Sequence, residues 1–125
     1  MSEKIGLREK LVPVKVSSIR DIARMAATII ALGQSTYIVR FRKSGRLYYG
    51  LVALLRDYYD LYGLPLLYYC SREGGEGEEK KHYLLVKLDE QGEHVELSES
   101  TRPGWVAVPI IDLAEAPRFF PDNLD

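Results

Sequence analysis

The sequence predicts an α+β fold, an antiparallel β-sheet with one or two helices packed on one face. Three observations lead there. "SSIRDIARMAATIIALG" carries an apolar stripe of helical period. "YIVRFRKSGRLYYGL" reads as two strands joined by a two-residue turn. Several further short runs, "LPLLYYC", "KHYLLVKL", "HVELS" and "WVAVPII", alternate or are continuously apolar between turn residues.

Along the chain, residues 1–10 show no period and read as a tail. "LVPVKV" alternates Val12, Val14 and Val16 with Pro13 and Lys15, which is strand period, and Pro13 favours an edge. In the first helix Ser18 is placed to cap, with Asp21 three residues on. Ile19, Ile22, Ala23, Ala26, Ile29 and Ile30 share one face, and Gly33 is placed to end the helix in the left-handed conformation. Residues 36–43 and 46–53 form the hairpin about Ser44-Gly45. "LLRDYYDLYG" predicts a short second helix ending at Gly63. Residues 72–80 are expected to form a mobile acidic loop, since "REGGEGEEK" contains no apolar side chain. "DEQGE" and "TRPG" are turns, and 112–125 is a tail whose Phe119 and Phe120 should tuck onto the fold. A chain of 125 residues is expected to be one domain.

Composition narrows the function classes. No apolar run is long enough to span a membrane as a helix. The N-terminus lacks the apolar segment of a secretory signal, and the single Cys70 suits a reducing cytoplasm. Two histidines and one cysteine argue against a zinc site. No nucleophile–base pair stands out: Cys70 reads as a small core residue, and Asp57 and Asp60 as solvated carboxylates. "GGEGEEKK" lacks the ending of a phosphate-binding loop. The expectation is a non-enzymatic protein with neither cofactor nor metal.

Charge is unevenly distributed. Residues 1–72 hold 12 Lys+Arg and 5 Asp+Glu, while residues 73–125 hold 5 and 13, for net charges of +7 and −8. Such a split suggests an anionic partner, or two halves that neutralise each other within one fold.

The hairpin turns this into a site. A two-residue turn places Tyr37, Val39, Phe41, Tyr48 and Val52 on one face, with Lys43 and Arg46 at its tip. Ile38, Arg40, Arg42, Leu47, Tyr49 and Leu51 lie on the other. The first set reads as the core face under the helix. The second carries arginines mid-strand with no acid in the hairpin, so it is expected to be exposed or functional, unless the sheet is covered and Arg40 lies on Tyr49 as a cation–π pair or meets Asp57, Asp60 or an acid from the second half. Cations, a ring and an apolar floor together suit unstacked bases and their phosphates. The candidate nucleic-acid-binding residues are therefore Arg40, Arg42, Lys43, Arg46, Tyr49, Leu51 and Tyr69. The alternative is a homo-oligomeric interaction module using the same face as a subunit interface.

"SSIRDIARMAATIIALGQSTYIVRFRKSGRLYYG" with "RDYYDLYGLPLLYY" resembles the Thermoproteales-type single-stranded-DNA-binding proteins, ThermoDBP and its related proteins. The resemblance covers residues 12–110. It implies a cytoplasmic, non-enzymatic, self-associating binder of single-stranded nucleic acid, DNA ahead of RNA, with Arg40, Arg42, Tyr49 and Tyr69 in a basic and aromatic cleft. The founding members carry a leucine-zipper-like C-terminal extension. Here "FFPDNLD" leaves no room for one, so self-association would come from the domain itself. Abundant Glu, Lys and Arg with few Asn, Gln and Cys suit a thermophile.

Overall fold

The computed structural model describes residues 13–55, 62–63, 68–72, 77–117 and 120. The chain runs β1 (Val14–Lys15), α1 (Ile19–Ala31), β2 (Ser35–Lys43), β3 (Arg46–Leu55), β4 (Tyr62–Gly63), β5 (Tyr68–Arg72), a 3₁₀ turn (Glu78–Lys80), β6 (Tyr83–Asp89), β7 (Gly92–Ser98) and β8 (Val106–Asp112). The strands form one sheet in the order β1-β5-β3-β2-β8-β6-β7, with β4 beside the end of β3. β1–β5 and β2–β8 pair in parallel and every other pair is antiparallel. The fold is α+β: one helix packs on a mixed, mostly antiparallel sheet that curls into a half-barrel.

Helix α1 forms where the apolar stripe lies. Ile22, Ala23, Ala26 and Ala27 are buried, while Ile19, Ile29 and Ile30 pack at the margins. Small alanines at the centre of the stripe let the helix approach the curled sheet closely. The N-terminus departs from a capping box. Ser18 is extended, but its hydroxyl and that of Ser17 both donate to the Asp21 carboxylate rather than accepting from the backbone. At the other end Gly33 has φ 83°, its N–H donates to the Ile30 carbonyl, and the Gln34 N–H donates to the Ile29 carbonyl. That pair of bonds is a Schellman motif, which needs the left-handed conformation that glycine adopts freely.

The hairpin register agrees with the sequence reading at every pair from Thr36–Ala53 to Lys43–Arg46, and the ladder runs one pair further, to Ser35–Leu54. Ser44 and Gly45 both have positive φ, 54° and 80°, as a type I′ turn requires.

Three expectations change. The helix predicted from Leu54 to Gly63 does not start there, because β3 continues to Leu55 and Tyr62–Gly63 pairs back onto it; residues 56–61 lie outside the described residues. Of the strand expected in "LVPVKV", Val14–Lys15 pairs with β5, and residues 11–12 lie outside the described residues. In the acidic loop Arg72 still belongs to β5 and Gly77 opens the 3₁₀ turn, with 73–76 outside the described residues. The 1–10 tail and Phe119 also lie outside them.

Both faces of the β2–β3 hairpin are covered. The inner face packs on α1 through Ile38, Leu47, Tyr49, Leu51, Cys70, Leu84, Val86, Val108 and Ile110. The outer face gathers Val39, Phe41, Tyr48, Val52 and Tyr69 into a second cluster. There the chain beyond β8 crosses back, adding Leu113, Ala116 and Phe120. Among the described residues no helix is long and apolar enough to cross a membrane.

Candidate functional site

The two hairpin faces are the reverse of the sequence expectation. The helix packs on the face of Arg40, Tyr49 and Leu51. Arg40 is 1% exposed, and Tyr49 and Leu51 are fully buried, so none of them offers a surface to a nucleic acid or a second subunit. Tyr69 does not join Tyr49. β5 pairs Tyr69 with Gly50 and Cys70 with Tyr49, which turns Tyr69 to the outer face. Of the other candidates, Arg42 and Arg46 are exposed and Lys43 is half-buried.

Arg40 can be buried because its charge is matched. It lies in a transverse row, Cys70–Tyr49–Arg40–Asp112, across β5, β3, β2 and β8. Its Nε donates to Asp112 Oδ1 (2.5 Å) and its Nη2 to Asp112 Oδ2 (2.9 Å), a bidentate pair. Nη1 donates to the Glu78 carbonyl (2.9 Å) and Nη2 to the Glu79 carbonyl (2.8 Å). The arginine thus ties the 3₁₀ turn to the end of β8. Burial works against its charge, but the Asp112 hydrogen bonds and attraction outweigh burial and leave its pKa raised. Tyr49 lies beside the guanidinium, ring centroid 6.0 Å from Cζ, and its buried hydroxyl falls outside hydrogen-bonding geometry with any described group. Burial pushes the Tyr49 pKa up, against the opposing pull of Arg40.

The split in charge along the chain is resolved in the same way. Arg20 and Arg24 face Glu93, Arg40 faces Asp112, Arg42 faces Glu79 and Arg72 faces Glu78. Each of these pairs joins the basic half to the acidic half.

The outer face carries the other arrangement. Phe41 and Tyr48 stack at 5.7 Å between ring centroids. Phe120 stands edge-on to Tyr69 (4.7 Å) and Phe41 (4.8 Å), with Tyr48 at 6.1 Å. Strand alternation puts Lys43 and Arg46 on the same face as Phe41 and Tyr48, at the hairpin tip. Arg46 makes no ion pair among the described residues. Beside the tip β2 runs past the end of β8. A cleft of about 320 Å³ opens there, lined by Phe41, Arg42, Leu47, Glu79, Asp112 and Leu113.

Burial pushes the Cys70 thiol up to about 11, so it stays protonated and is no nucleophile at neutral pH. Among the described residues no three His, Cys, Asp or Glu side chains cluster as metal ligands would.

Sequence reasoning allowed Arg40 an acid from the second half without singling out Asp112, missed the Glu78 and Glu79 carbonyls as its partners, and assigned Phe41 and Tyr48 to the helix-facing core. The complementary charges of the two halves were the available signal for Asp112, but they do not specify partners, and the main-chain carbonyls of Glu78 and Glu79 leave no charge signal. Comparison with family models, with curated proteins and with solved structures finds no match to this chain.

Proposed function

We propose that this chain binds single-stranded nucleic acid with little sequence preference, through the outer face and tip of the β2–β3 hairpin. The observation that carries the reading is that Lys43 and Arg46 share one face with Phe41 and Tyr48, with Tyr69 next to them on β5. Phosphates are held by the tip cations Lys43 and Arg46, and bases stack on the rings.

In the resting protein Phe120 occupies the ring floor, so the cations make first contact and the rings are reached when Phe120 moves aside. The magnitudes permit this exchange. Burying a Phe side chain is worth about 1.5–3 kcal/mol. Each stacked base contributes about 1–3 kcal/mol. Two or three bases with their phosphates outweigh one phenylalanine.

The test is fluorescence anisotropy with labelled single-stranded DNA, matched RNA and duplex at two salt concentrations, with Lys43→Ala/Arg46→Ala alongside. Single strands should bind more tightly than duplex, and more weakly as salt rises. The double variant should lower the slope of log K against log salt by about 1.4, since each phosphate contact on a single strand contributes about 0.7. Absence of binding to all three at low salt sinks the proposal.

A further inference from the structure

A second cleft lies on the inner side of the sheet, away from the ring cluster. It occupies about 540 Å³ where the half-barrel stays open, between the start of α1, the end of β5, the 3₁₀ turn and strands β6 and β7. This is within the roughly 300–1,000 Å³ of pockets that enclose small ligands. Leu84, fully buried, forms part of its lining, together with half-buried Ile19, Val95 and Leu97.

One lining atom is out of balance. The Glu78 carbonyl accepts from Arg40, and its Oε1 faces Arg72 Nη2 at 3.1 Å. Its Oε2 is buried with no donor among the described residues. A buried carboxylate oxygen without a hydrogen bond is costly, and an incoming donor removes the cost. Two cations also line the cleft. The Arg20 Nη2 donates to the Glu93 carbonyl and its Nε lies 3.5 Å from the Glu93 carboxylate, while the Lys81 Nζ lies 3.7 Å from Glu99; each cation carries further N–H donors. Capacity for an anion is left at each. The other carboxylate in the lining, Glu96, is neutralised by a bidentate Arg102 at 2.6 and 2.7 Å.

Apolar walls, a carboxylate short of a donor and two cations with donors to spare describe a ligand with three parts. We propose that this cleft binds a nucleoside monophosphate whose base carries an exocyclic amine. The amine donates to the Glu78 carboxylate, whose side chain is 19% exposed, as cytosine N4 donates to carboxylates elsewhere. The base lies against Val95 and Leu97, and the phosphate meets Arg20 and Lys81. An apolar amino acid fits less well. Its ammonium and carboxylate share one carbon, and the acid and base next to each other in the cleft, Glu78 and Arg72, are already paired. This site is independent of the hairpin face and does not rest on single-strand binding.

Titration calorimetry on the full chain with CMP, AMP, UMP, cytidine, inorganic phosphate and leucine tests it. CMP and AMP should bind at least about tenfold more tightly than UMP, whose base has a carbonyl in place of the amine. Glu78→Gln, which can donate as well as accept, should erase that discrimination. Lys81→Ala should weaken CMP while leaving cytidine unchanged, and it keeps the test open if the Glu78 variant does not fold. Equal affinity for phosphate alone, binding of leucine in preference to nucleotides, or no heat at millimolar CMP overturns the proposal.

Discussion

Arg40 and Asp112 are partners across the parallel β2–β8 ladder, and their two hydrogen bonds place an arginine inside the sheet under a helix. The pair is asymmetric, since the Arg40 side chain is 1% exposed and that of Asp112 57%. Removing the carboxylate strands a buried charge, whereas removing both ends does not. Asp112→Ala should therefore cost about 3 kcal/mol in urea unfolding. Arg40→Met/Asp112→Ala should cost less than Asp112→Ala alone. A double variant worse than the single would mean that the arginine acts chiefly by bonding the Glu78 and Glu79 carbonyls.

Phe120 closes the outer cluster from a segment that, among the described residues, bonds the sheet backbone only through the Leu113 N–H to the Arg40 carbonyl, 2.8 Å. Phe120→Ala should destabilise the fold by about 3 kcal/mol, at the low end for a buried phenylalanine, because the site lies at the surface of the sheet and water can enter it. The same change uncovers Phe41, Tyr48 and Tyr69, so affinity for single-stranded DNA should rise as stability falls. Affinity that falls or stays level in a variant still folded by circular dichroism would remove the rings from the proposed interface.

Local structure was legible in the sequence, and the choice of face was not. Gly33 announced the helix end and Ser44-Gly45 fixed the register, because turn chemistry is encoded in the residues that make the turn. Period two then said which hairpin residues travel together. It could not say which set meets the helix, because both sets are apolar and both are covered. The apparent decider, an arginine without a nearby acid, misled because Asp112 lies 72 residues further along. A parallel pairing of β2 with β8 leaves no local trace. Phe120 was legible as a tucked aromatic, but its location over Tyr69 and Phe41 depends on that same long-range pairing.

The turn itself offers a stabilising change. Ser44 holds φ 54°, a region that costs most L-residues about 1 kcal/mol and that asparagine tolerates better. Ser44→Asn supplies the Asn-Gly pair favoured in type I′ turns and should raise stability by a few tenths to about 1 kcal/mol. Thermal unfolding measures it. A lower melting temperature would show that the serine hydroxyl matters more than the backbone preference.

Alkaline pH should loosen the inner core through two neighbours in one row, Cys70 and Tyr49. The folded thiol titrates at about 11, against 9.0 for an ordinary cysteine, and the Tyr49 hydroxyl is also shifted up. Between these values the unfolded chain has released protons that the folded chain keeps. The stabilisation is complete below pH 9 and is lost as pH rises through the folded values. Unfolding free energy measured from pH 8 to 11 should therefore fall, and Cys70→Ala should flatten part of the decline while lowering the starting value through its lost packing. At neutral pH the native thiol should resist a disulfide reagent until urea unfolds the chain. Rapid labelling of the folded protein would contradict both the burial of Cys70 and the sign of this pH dependence.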